Sequence, residues 1–291
     1  MTAPATDWSW KMLNLNVHVG RADHGAARTP IEPASRQNAE HLISAMDVLG
    51  KRLRQLSARQ SVRYDTHEVN RLRITQAENQ APGAVETGRF IRGTAANIGI
   101  KPADVFTDFY QNDERNCVTV SAIKAAMMRF GHNPHSVFKR VRATATGFEV
   151  VMRDAYRLHI SHAELEQARK ASDFKAKRPN DVLVNAQFLY AVSGKRAQME
   201  GNDGVDKKDY TAALTSLNDG EYPGQALRRL GLKNYVAPAT LEDFRRGAIG
   251  TVADSVHSMA VINGKLDDYG KAAELNESQW RNRSAIGLKL L

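Results

Sequence analysis

Cysteine is almost absent from the 291-residue sequence: Cys117 stands alone, which excludes an intrachain disulfide framework. No apolar run approaches the ~18 residues that a membrane-crossing helix needs. The N-terminus has no basic segment leading into an apolar core, so no Sec-type leader is expected. These absences fit a soluble chain that stays in the cytoplasm or leaves through a specialised secretion system. Lys and Arg number 41 against 32 Asp and Glu, a net charge of +9, yet no run of five or six basic residues occurs. Charge spread in this way reads as a solvated surface, and nucleic acid is not the expected partner. The Gly-x-x-x-x-Gly-Lys, Gly-x-Ser-x-Gly and His-Glu-x-x-His motifs are missing, which removes their phosphate-binding, serine-elbow and zinc chemistries. His132 with His135, and His159 with His162, have no Cys or acidic third ligand placed to complete a zinc site. Asn202-Asp-Gly-Val-Asp-Lys-Lys-Asp209 fails the spacing of an EF-hand loop. No metal and no cofactor is therefore expected.

What is present is an ordinary globular composition, 42% hydrophobic and 25% charged, enough for a sizeable core. Residues 12–20 alternate like an edge strand, and Ser35 to Ser57 carries an apolar stripe at helical spacing. Gln80-Ala-Pro-Gly83 marks a boundary between an N-terminal region, 1–83, and a second domain, 84–291. A short helix is expected over Thr87–Ile98, and strands over Thr146–Arg153 and Tyr156–Ile160 meeting at Asp154-Ala155. Ser161 and Glu164 form a capping box that opens a helix, and a second helix is expected over Asp181–Ser193. Lys208–Leu217 and Gly224–Leu230 read as helices, Ala248–Val252 and Val256–Ile262 as strands. No internal repeat or low-complexity segment interrupts this order.

Cys117 opens Val118-Thr-Val-Ser-Ala-Ile-Lys-Ala-Ala-Met-Met-Arg-Phe130, in which Val120, Ile123, Met127 and Phe130 recur at helical spacing. Ser121, Ala122, Ala125 and Ala126 are small enough for neighbouring backbone to approach. A thiol in the first turn of such a helix sits at the positive end of the helix dipole, which favours the nucleophilic thiolate. Gln111 lies six residues earlier and His257 lies 140 residues later. Asn263-Gly264 signals a two-residue type I′ hairpin that pairs residue 262 with 265 and 261 with 266. With period-two alternation, His257, Met259 and Val261 share a face, and Asp268 falls opposite Met259 on it. Asp267 faces the other way and is the fallback should the register slip.

These residues and spacings resemble the papain superfamily of cysteine peptidases. Within it the middle of the chain is similar to calpain-type domains, and the acid after a short hairpin to bacterial effector and bacteriocin-processing members. The resemblance covers about residues 85–290. It departs from the family at Arg115-Asn-Cys-Val118 and in having no Asn-Pro-Trp or Asn-Ser-Trp after the His strand. It implies a two-lobed α+β fold, a helical lobe with the nucleophile helix and an antiparallel sheet lobe. It further implies a thiol protease, a bacterial effector or toxin type, acting on a protein or peptide. Cys117 would be the nucleophile, His257 the base, Asp268 the residue that orients it, and Gln111 an oxyanion donor. Two alternatives stay open: the same thiol as a deamidase, amidase or transferase, and a non-catalytic basic binding module in which Cys117 is core.

Overall fold

The computed structural model describes residues 88–254, 256–275 and 285–291. The chain divides after Asn79, and all of these residues lie in the second unit, Gln80–Leu291. The strand expected at 12–20 and the helix expected over 35–57 fall outside the described residues. In place of a continuous helix to Ile98, helical residues 88–90 give way to a 3-10 turn at Ala95–Asn97. The break lies at Gly93, held at φ 82°, and Thr94, which caps the new turn through its own side chain.

Helix α1 (Val105–Asp108) is capped by Asp104 and leads into strand β1 (Tyr110–Gln111). Helix α2 (Cys117–Phe130) follows, then α3 (Pro134–Val137), opened by Asn133 with proline in its first turn. Strands β2 (Arg140–Ala143), β3 (Gly147–Val151) and β4 (Arg157–Ser161) form an antiparallel sheet with β3 in the centre. The β3–β4 turn passes through Ala155 at φ 67°. Helix α4 (His162–Ala171) starts at the expected capping box. Ser161 Oγ accepts from the Glu164 N–H at 3.2 Å, and the Glu164 carboxylate accepts from the Ser161 N–H at 2.9 Å.

Strand β5 (Phe174–Lys175) pairs with β1, and α5 (Asp181–Glu200) follows. Helix α5 outruns the expected end at Ser193 because Gly194 is not a stop. A Cβ at Gly194 would meet Leu214 Cδ2 at 2.6 Å, so the bare glycine admits the next helix, α6 (Tyr210–Thr215). The stop comes at Gly201, in the left-handed conformation. Helix α7 (Gln225–Arg229), strand β6 (Val236–Pro238) and helix α8 (Leu241–Arg245) complete the middle. The last strands are β7 (Gly250–Ala253), β8 (Ser258–Ile262), β9 (Lys265–Asp268), β10 (Lys271–Glu274) and β11 (Ile286–Leu290). They join β6 in a six-stranded sheet ordered β10-β9-β8-β7-β11-β6, antiparallel throughout.

The result is an α+β fold of helices and separate antiparallel sheets. Helix α2 packs against β7, β8 and β11 of the six-stranded sheet and against helices α5 and α7. Residues Val118 through Met127 are consequently all buried, including the anticipated Val120, Ile123 and Met127. Among the described residues, no helix is long and apolar enough to cross a membrane.

Ile123, with no exposed surface, sits in the largest apolar cluster. Ile123→Ala is expected to destabilise the domain by about 2–5 kcal/mol in urea unfolding. Lys271→Ala, on the exposed β10 strand, should change it by less than about 0.5 kcal/mol. Equal effects would contradict the central place of α2.

Candidate active site at the N-terminus of the buried helix

One stripe of α2 meets the six-stranded sheet. Ser121 Oγ hydrogen-bonds Ser258 Oγ of β8 at 2.8 Å. Lys124 Nζ lies 2.7 Å from Asp267 Oδ1 of β9. Met128 packs with Ala260 and Ile262 of β8. Residues 121, 124 and 128 follow the helical repeat, and the same stripe begins at Cys117, one turn before Ser121. The helix and β8 therefore run alongside each other in one direction. One helical turn back from Ser121 is Cys117; one residue back from Ser258 is His257. The two candidate residues lie at the same end of the helix–strand contact, and Cys117 is half-buried there, packed against the main core.

The hairpin that carries His257 has the anticipated register, with Val261 opposite Leu266 and Ile262 opposite Lys265. Asn263 and Gly264 both take positive φ, 52° and 73°, as a type I′ turn requires. Val261 and Leu266 pack with Phe244 and Val252 on one face, and Met259 joins them. Ala260 and Ile262 face α2. Asp267 is buried on the α2 side, held by Lys124 and accepting from the Gly270 N–H at 3.3 Å. Asp268 is exposed.

The His257 ring stacks on Tyr269, centroids 4.8 Å apart and planes 6° from parallel. Tyr269 and Gly270 form the β9–β10 turn with φ 47° and 83°. A tyrosine in the left-handed region is costly, and its ring spends that conformation on the imidazole. The His257 N–H donates to Asp254 Oδ1 at 2.8 Å, which fixes the backbone entering β8. Burial pushes the imidazole below its ordinary value, while the negative charges of Asp268, Asp254 and Asp267 act in the opposite sense, Asp268 most strongly. Among the described residues no side chain hydrogen-bonds the ring nitrogens, so Asp268 acts on His257 through its field.

Gln111 reaches the same end from β1. The neighbouring Tyr110 ring lies over Gly270, where a Cβ would be only 2.7 Å from Tyr110 Cδ1, so the Gln111 strand touches the end of the hairpin. Gln111 Nε2 donates to the Glu114 carbonyl at 2.7 Å. An amide nitrogen has two hydrogens, so one remains for another acceptor. Asn116, the residue before the helix, is fully buried and turns its Nδ2 to the Ser172 carbonyl at 2.9 Å instead of capping α2. The first backbone N–H groups of the helix, Cys117's among them, are thus left without that cap. The thiol and the uncapped N–H groups open α2, the imidazole precedes β8 and the Gln111 amide stands on β1; these are the residue types that attack on a carbonyl uses.

Lys124 carried no sequence signal beyond its place seven residues after Cys117; a lysine in a helix ordinarily reads as solvated. Tyr269 was missed because a Tyr-Gly turn is not a usual hairpin sequence. Neither histidine pair joins a group of three metal-capable side chains among the described residues. His132 Nδ1 instead meets Asn185 Nδ2 at 3.1 Å, and His159 Nε2 meets Thr146 Oγ1 at 3.2 Å. Asp203, Asp219 and Glu221 do cluster, their carboxylate oxygens within 4.8 Å of one another, but Glu221 is ion-paired with the buried Arg229.

The depressed His257 sets a sign. Its contribution to stability is present above the ~6.5 of an unfolded histidine and is lost as pH falls through the lower folded value. NMR titration should place His257 below ~6.5, and Asp268→Asn should lower it further while Asp267→Asn lowers it less. The opposite order would make Asp267 the stronger partner.

Compared with models of protein families, with curated proteins and with solved structures, the chain matches none.

Proposed function

We propose that the domain is a cysteine peptidase of the papain-like, two-lobed type, acting on a protein or peptide. The observation that supports this reading is the alignment of α2 with β8 through Ser121–Ser258, since Cys117 lies one turn before Ser121 and His257 one residue before Ser258 in the chain. The order of the chain supports it: nucleophile helix first, histidine and acid on a later antiparallel hairpin.

His257 takes the proton of Cys117 as the sulfur attacks the amide carbonyl carbon. Negative charge develops on the carbonyl oxygen, where the Cys117 N–H and the second Nε2 hydrogen of Gln111 donate to it. The tetrahedral species collapses as His257 gives its proton to the leaving amine, forming a thioester. Water, deprotonated by His257, then releases the carboxylate and restores the thiol. Asp268 favours the imidazolium formed in each half-reaction, and Tyr269 holds the ring plane.

Two measurements test this. Iodoacetamide labelling of Cys117 should stay fast below pH 7 and slow in His257→Ala; a rate indifferent to His257 would assign Cys117 to the core. On a denatured protein such as casein, Cys117→Ala should abolish cleavage and His257→Ala should reduce it by about 10²–10⁴-fold. Release of ammonia without new N-termini would direct the same thiol to side-chain amides.

A further inference from the structure

Lys124 has no exposed side-chain surface, and burial pushes its amine below the ordinary lysine value while Asp267 acts in the opposite sense. Its amine ties its own helix to two other segments. It is 2.7 Å from Asp267 Oδ1 in β9 and 3.1 Å from the Phe106 carbonyl in α1, and it lies 5.1 Å above the Phe109 ring just before β1. Each segment leads to one part of the site. Helix α2, which bears Lys124, starts at Cys117; the α1–β1 segment leads to Gln111; Asp267 precedes Asp268 and Tyr269, the latter stacked on His257. Asp267 also anchors the Tyr269–Gly270 turn by accepting from the Gly270 N–H.

We propose that Lys124 is a positioning residue: paired with Asp267, it fixes the hairpin and the Gln111 strand relative to the nucleophile helix. The proposal rests on the reading of Cys117 and His257 as the reacting pair. It also gives Asp267 a role distinct from that of Asp268. A buried ion pair contributes little net stability compared with apolar residues of similar volume, because two charges lose their water. Its directional contacts, by contrast, define one arrangement of three segments. The groups whose charge acts on Lys124 are Asp267 from β9 with Asp104 and Asp108 from α1.

The test separates placement from stability. In the double variant Lys124→Met/Asp267→Leu, urea unfolding should remain cooperative with a midpoint near the wild-type value. Labelling of Cys117 by iodoacetamide at pH 6 should fall at least tenfold and lose its dependence on His257. Asp267→Asn keeps the shape and the acceptor for Gly270, and should retain part of the wild-type pH profile; it also serves if the double variant does not fold. A folded double variant with the wild-type profile and full His257 dependence would overturn the proposal and leave the Cys117–His257 pair standing. Wild-type labelling that ignores His257 would overturn both.

Discussion

A polar group buried on a helix costs free energy unless it finds a partner. Helix α2 is buried from Val118 to Met127, and its polar stripe, Ser121 and Lys124, meets Ser258 and Asp267 on the sheet. Apolar contacts alone would let a helix slide or rotate on a sheet at small cost, since they are non-directional. A hydroxyl pair at 2.8 Å and an ion pair at 2.7 Å do not slide. The register of α2 on β8 and β9 is in this sense chosen by two polar contacts set within a buried interface. Everything at the helix N-terminus inherits that register.

Much of this was legible in the sequence where the signal is local. The α2 core positions, the Ser161–Glu164 cap and the Asn263-Gly264 hairpin each depend on residues within a few positions of one another, and they stand as expected. Helix α5 ran past its expected end because the purpose of Gly194 is set by Leu214, twenty residues away. Lys124 is hidden for the same reason on a larger scale, since its partner is 143 residues distant. Of the candidate site, the alternation along β8 and β9 put Asp267 and Asp268 on different faces, and in the structure Asp267 is buried and Asp268 exposed. It did not reveal that Asp267 is occupied by a lysine.

Tyr269 shows where local rules yield. A two-residue turn with two left-handed positions favours Asn, Asp or Gly, and tyrosine there is strained. The compensation is the ring stacked on His257. Conflicts between local preference and observed conformation concentrate where a side chain has another task. Here the conflict falls beside the imidazole, next to the glycine that makes room for Tyr110.

The separation of Cys117 from His257 along the chain has a consequence for how the protein is made. During synthesis at about 5–20 residues per second, the thiol is complete roughly 7–28 seconds before the imidazole, 140 residues later, has been added. The hairpin that aligns the helix comes later still, with Asp267 and Tyr269 a further 10 and 12 residues on from His257. Until those residues have been added, α2 lacks the sheet partners of Ser121 and Lys124. A product terminated before the hairpin would carry the helix and its thiol without the polar contacts that set the helix on the sheet.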